Sequence, residues 1–93
     1  MNQRAETVYR AGRADISWRE AGDEIVILDT ASSVYFGLDR SGALLWRHLT
    51  EGATAGELVA VLTTATTVDS ARAAGDLDAF LAALLRHRLI QRS

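Results

Sequence analysis

The sequence predicts an α+β fold: a three-stranded antiparallel sheet packed on three helices. Three observations carry that expectation. Between residues 15 and 38 the apolar residues come in short runs broken by turn chemistry, and the runs show alternation or β-branching. From Asp39 onward the large apolar residues recur at helical spacing instead. The connections between the strand-like runs are short, which makes neighbouring strands antiparallel.

The elements follow in order. Residues 1 to about 12 read as a polar tail or an early edge strand, with Val8 and Tyr9 the only bulky apolar residues after Met1. Ile16 and Trp18 then alternate with Ser17 and Arg19, the period of a half-buried strand. Ala21-Gly22-Asp23 is turn chemistry. Ile25-Val26-Ile27-Leu28 is a β-branched apolar run, too short for a helix and suited to a central strand. Asp29-Thr30-Ala31-Ser32 makes a second turn, and Val34-Tyr35-Phe36-Gly37-Leu38 a third strand.

Asp39 is placed to cap the first helix, on which Leu45, Trp46 and Leu49 share one side with Leu44 beside them. Gly52 stops it by tolerating a left-handed backbone. Thr54-Ala55-Gly56-Glu57 is a capping box for the second helix, whose buried side is Leu58, Val61 and Leu62. Thr63-Thr64-Ala65-Thr66-Thr67 has weak helix propensity and is expected to fray into a loop. Asp69 or Ser70 starts the third helix. There Ala73, Leu77, Phe80, Leu81, Leu84 and Leu85 fall within an arc of about 140°. Arg86, His87 and Arg88 suit its negative end, and Leu89-Ile90 are expected to tuck back as an extended closing segment.

Composition bounds the function. At 93 residues the chain is read as a single domain over 1–93, with its core in about 14–90. Nearly half the residues are hydrophobic, enough for one modest core and marginal stability. There is no cysteine, so disulfides, thiolate metal sites and cysteine nucleophiles are absent, which fits a reducing cytoplasm. No apolar run approaches the roughly 20 residues of a membrane span, and the N-terminus lacks the apolar centre of a signal peptide. The net charge of −2 and the lack of lysine weigh against nucleic acid.

Little catalytic chemistry survives inspection. His48 and His87 each sit in the last turn of an expected helix beside arginine, in no metal-ligand spacing. No serine lies in a nucleophile elbow, and Gly37, Gly42 and Gly52 form no phosphate loop. Asp29, Asp39 and Asp69 are explained by a turn or a cap. Nothing calls for a cofactor, a metal or enzymatic activity. Trp18 and Trp46 are aromatics that a partner could use, although Trp46 lies on the core side of its helix.

The order of motifs is more specific. The chain resembles the PqqD-like peptide-recognition domains, the RiPP recognition elements, which bind leader segments of ribosomally made peptides. The residues that carry the resemblance are Ile25-Val26-Ile27-Leu28-Asp29, then Tyr35-Phe36-Gly37-Leu38-Asp39, then Gly42-Ala43, Trp46, Gly52, Thr54 and Glu57. Asp76-Leu77, Phe80-Leu81, Leu84 and Leu89-Ile90 complete it. The run from Tyr35 to Trp46 is most similar to the leader-binding component of lasso-peptide biosynthesis. The short, cysteine-free chain looks like the stand-alone recognition protein of a split system. Its threonine-rich segment over 63–68 departs from the longer, more charged loop common in relatives.

The resemblance implies a winged-helix-like domain that is not an enzyme. It implies a leader peptide added as a fourth strand along the third strand and over the third helix, with contacts from Ser33, Val34, Tyr35, Phe36, Gly37 and Leu38. The flank carrying Arg72, Ala73, Asp76, Leu77 and Phe80 is expected to complete the site. The implied partners are the leader, a separate cysteine leader protease and a cyclase. An unpaired edge recruits strands, and proline at Val34 or Phe36 is expected to remove a donor from it. With strict alternation, Val34, Phe36 and Leu38 point to the core and Tyr35 to the opposite face or rim. The alternative is a winged-helix nucleic-acid binder. However, the N-terminal half of the third helix, Asp69-Ser70-Ala71-Arg72-Ala73-Ala74-Gly75-Asp76, offers two acids and one base.

Overall fold

Two turns set the main sheet. In a computed structural model that describes residues 7–12 and 15–93, strands β2 (Ile16–Ala21), β3 (Glu24–Asp29) and β4 (Val34–Leu38) pair antiparallel in the order β2-β3-β4. Gly22 takes φ +67° at the first of the two residues joining β2 to β3, the conformation that glycine supplies in a tight hairpin. The β3–β4 turn is built by Asp29, whose Oδ1 accepts from the N–H groups of Ala31 (3.0 Å) and Ser32 (3.3 Å). Ser33 closes that turn in the left-handed region at φ 60°, and its N–H donates to the Asp29 carbonyl at 2.7 Å.

The helices start where their caps place them. Asp39 Oδ1 accepts from Gly42 N–H at 2.9 Å and opens α1 (Arg40–Leu49). Thr54 and Glu57 form the reciprocal capping box of α2 (Ala55–Ala65), at 3.2 and 2.8 Å. Asp69 Oδ1 accepts from Arg72 N–H at 2.8 Å and opens α3 (Ser70–Arg86). Each such cap contributes about 1 kcal/mol. The helix α2 runs to Ala65 and does not fray at Thr63. Thr63 and Thr66 hydroxyls donate back to the carbonyls of Ala60 and Leu62, at 3.2 and 2.7 Å, which supplies partners to the helix end.

Inner rows of the sheet and the apolar helix faces share one core. Ile25 and Ile27 of β3 meet Leu45, Trp46 and Leu49 of α1, Leu58 and Leu62 of α2, and Leu77, Leu81 and Leu84 of α3. Each large side chain buried this way stabilises by roughly 1.5–3 kcal/mol. Trp46 is fully buried, and Trp18, 40% exposed, leans on it edge to face with ring centroids 6.3 Å apart. At its C-terminus α3 ends in a Schellman turn. Arg88 takes φ 61°, its N–H donates to Leu85, and Leu89 N–H donates to Leu84 at 2.9 Å.

A second small sheet goes beyond the expected architecture. The strand β1 (Val8–Ala11) lies between β5 (Ala53–Thr54) and β6 (Ile90–Arg92). The early segment is therefore a central strand, neither a tail nor an edge; its part over residues 1–6 lies outside the described residues. The closing segment becomes β6, and Val8 and Ser93 exchange backbone bonds at 3.1 and 2.9 Å. This sheet also fastens the end of α1: Arg10 Nη1 donates to the Glu51 carbonyl at 2.8 Å, beside Gly52 at φ +91°. No helix of the described residues is long and apolar enough to cross a membrane.

Candidate functional site: an open strand edge beside the third helix

Hairpin phase decides which backbone groups of β4 are free. In a two-residue hairpin the flanking residues, here Ala21 and Glu24, exchange both backbone bonds, and the pattern then alternates. Thr30 N–H donating to Asp15 O at 2.9 Å continues the same phase. Glu24, Val26 and Leu28 thus bond towards β2, and Ile25, Ile27 and Asp29 towards β4. Their partners across β4 are Leu38, Phe36 and Val34. It follows that Tyr35 and Gly37 turn their N–H and C=O groups to the outer edge, where no strand pairs among the described residues. This corrects the expectation that Val34 or Phe36 offers the edge donor: those amides are spent on β3.

Side chains alternate as expected. Phe36 and Leu38 pack partly into the core, while Val34 stays 44% exposed at the turn end of the same row. Tyr35, 68% exposed, stands on the outer face. The inner row runs beneath one flank of α3, in the opposite direction. Phe36 meets His87 at its C-terminal end, with ring centroids 4.9 Å apart. At the other end Leu38 and Phe80 converge on Gly42. A Cβ there would lie 3.3 Å from Leu38 Cβ and 3.3 Å from Phe80 Cε1.

On the far side of Gly42 is a cavity of about 230 Å³, whose walls include Leu45, Leu62, Val68 and Phe80, with Asp39 and Asp76. The arrangement offers a strand edge for backbone pairing and, near the end of β4, an apolar cavity with carboxylates in its wall. Among the described residues no group of three or more His, Cys, Asp or Glu is placed to hold a metal ion.

The structure brings most of the expected residues to this place. Ser33 sits in the turn at one end of β4, and Val34, Tyr35, Phe36, Gly37 and Leu38 form the strand. Asp76 and Phe80 line the cavity. Arg72 is exposed and pairs with Asp76 across one helical turn at 3.8 Å. Ala73 and Leu77 are buried in the core and give the flank its footing without offering surface to a ligand. Their place inside the apolar arc was the sign of this.

Two further residues lie at this place. His87 has the sequence signature of a helix-end histidine alone; its contact with Phe36 joins residues far apart in sequence, which no local pattern reports. Gly42 belongs to the family-like motif, and the structure places it at the crossing point of Leu38, Phe80 and the first turn of α1.

Known proteins share this fold. The family model described as coenzyme PQQ synthesis protein D (PqqD) matches residues 24–90. The solved structure of TbiB1 in complex with the TbiA(beta) leader peptide superimposes with a TM-score of 0.81 at 30% identity, covering 88% of this chain and 94% of that one. A lasso peptide synthetase B1 complexed with the leader peptide gives 0.79 at 25% identity, covering 89% of this chain and 96% of that one. No curated protein matches the sequence.

Proposed function

This chain belongs to the PqqD family, and we propose that it binds the leader segment of a ribosomally made precursor, of the kind matured into a lasso peptide, by strand addition along β4. The observation that carries the reading is that two solved structures similar to almost the whole chain are complexes with leader peptides. The local physics supports it. Tyr35 and Gly37 supply unpaired backbone groups for sequence-tolerant affinity, and the slot under Phe80 and His87 selects side chains.

The protein acts as a binding module without a cofactor, in the cytoplasm. It presents the leader to a separate cysteine leader protease and to a cyclase. Holding substrate beside an enzyme raises its effective concentration into the mM range for a short tether, so the module accelerates processing without touching the scissile bond.

Fluorescence anisotropy with a labelled leader peptide of a lasso-peptide precursor tests binding. Mass spectrometry of the precursor tests the division of labour. Leader removal is expected only when the protease is added, and faster with the module than without it. Cleavage by the highly purified module alone would contradict this reading, as would an unchanged rate of leader removal on adding it.

A further inference from the structure

Gly37 has no explanation within the fold. Glycine inside a strand ordinarily marks a positive φ, a bulge, or a close approach of other atoms. Gly37 is not among the positive-φ residues. The β3–β4 register runs unbroken from Ile25↔Leu38 to Asp29↔Val34, so there is no bulge. A Cβ added to it would meet no described atom within 4 Å. The other strand-edge residues carry side chains, and an interior glycine weakens a strand. Gly75 has the same freedom, but it lies on an exposed helix face with no open backbone beside it.

We propose that Gly37 reserves space on the outer face of the sheet for an aromatic side chain of the incoming peptide, at the residue that pairs with Gly37. The inference rests on strand addition along β4 and specifies the peptide that adds. Because Gly37 turns its N–H and C=O to the edge, the residue opposite it forms a hydrogen-bonded pair, and both side chains leave the same face. That face carries Val26, half-buried and directly across β3 from Gly37, and Tyr35, two residues along β4 and largely exposed.

A side chain from the added strand therefore passes over the bare glycine to Val26, with Tyr35 on its diagonal, about 7–8 Å away and within reach of a ring. Aromatic rings are the groups that cover a strand glycine in this way. Arg19 continues the row beyond Val26; it disfavours lysine or arginine in the space and offers a cation to an aromatic face. The peptide residues on either side of the aromatic point inward to Phe36 and Leu38, where the slot is apolar. The recognised pattern is aliphatic–aromatic–aliphatic, with the aromatic facing out.

Short random peptides displayed on phage and selected on the full chain provide the probe. Binders that use the edge are identified by loss on Tyr35→Pro and retention on Tyr35→Phe, which keeps both the N–H and the ring. These are expected to carry the aliphatic–aromatic–aliphatic pattern. Replacing the aromatic by alanine is expected to weaken binding roughly tenfold, and Gly37→Val, which fills the space, to weaken it similarly. The Cβ of Gly37→Val meets no described atom within 4 Å and valine favours the strand, so its melting temperature is expected to equal or exceed that of the parent. Edge-dependent peptides with small or polar residues opposite Gly37, or affinities indifferent to Gly37→Val, overturn this inference and leave strand addition standing. If no selected peptide distinguishes Tyr35→Pro from Tyr35→Phe, strand addition itself is wrong and the inference goes with it.

Discussion

The ring of His87 lies 4.9 Å from that of Phe36, tilted by 53°, and so joins the cap of α3 to the middle of the edge strand. This contact ties the end of the helix to β4. His87→Ala is expected to lower stability by about 0.5–1.5 kcal/mol and to weaken leader binding, whereas His87→Phe keeps both. Urea denaturation and leader anisotropy check the pair. An unchanged midpoint for His87→Ala would show that the contact holds nothing.

Proline discriminates the two phases of β4. Tyr35→Pro removes an amide that faces the open edge, a position where strands tolerate proline. The fold is expected to survive, with circular dichroism unchanged and leader affinity lowered roughly tenfold or more by the lost bond and the ring in its place. Phe36→Pro removes a bond to β3 and is expected to break the hairpin. Should both variants fold and bind alike, the assignment of Tyr35 and Gly37 to the edge fails.

The parts of this fold that are local were legible in the residues. Asp39, Thr54 and Asp69 cap the three helices because a short oxygen-bearing side chain just before an apolar helical run has little else to do. The phase of the open edge was also written in the sequence, in the two-residue turn at Gly22-Asp23, although reading it needs the register carried through two strands. What stayed hidden is non-local. Val8–Ala11, Ala53–Thr54 and Ile90–Arg92 are too short to show a period, and they become strands only because they meet. For the same reason the proposed binding flank mixes Phe80, which lines the cavity, with Ala73 and Leu77, which are core. Helical spacing gives a direction but not the depth of the neighbouring surface.

Ser33 carries a side chain at φ 60°, where glycine is favoured. The left-handed region costs an ordinary residue roughly 1–2 kcal/mol, and Asp29 offsets part of this by holding the turn with its carboxylate. Ser33→Gly is expected to stabilise the protein by about 0.5–1 kcal/mol, because glycine also gains freedom in the unfolded chain and returns some of the benefit. Thermal melting measures it. A fall in melting temperature would mean that the serine hydroxyl holds the turn more strongly than its backbone strains it.

Phe80 and Asp76 lie on the same flank, yet they are expected to differ in weight. Asp76 is exposed and already shares Arg72 at 3.8 Å, so Asp76→Ala should change leader affinity by less than about 1 kcal/mol. Phe80 is half-buried, lines the cavity and reaches Gly42. If part of its ring faces the leader, Phe80→Leu weakens binding by about 1–2 kcal/mol. Gly42→Ala provides the geometric control. Its new methyl would lie 3.3 Å from both Leu38 Cβ and the Phe80 ring; the former is fixed to a strand, so the ring must move. It should therefore weaken leader binding in the same direction as Phe80→Leu, while the gain of about 1 kcal/mol in helix propensity limits the loss of stability. Anisotropy for binding and thermal melting for the fold separate these effects. Folded Phe80→Leu and Gly42→Ala variants with parental affinity would confine the leader to the strand and remove α3 from its recognition.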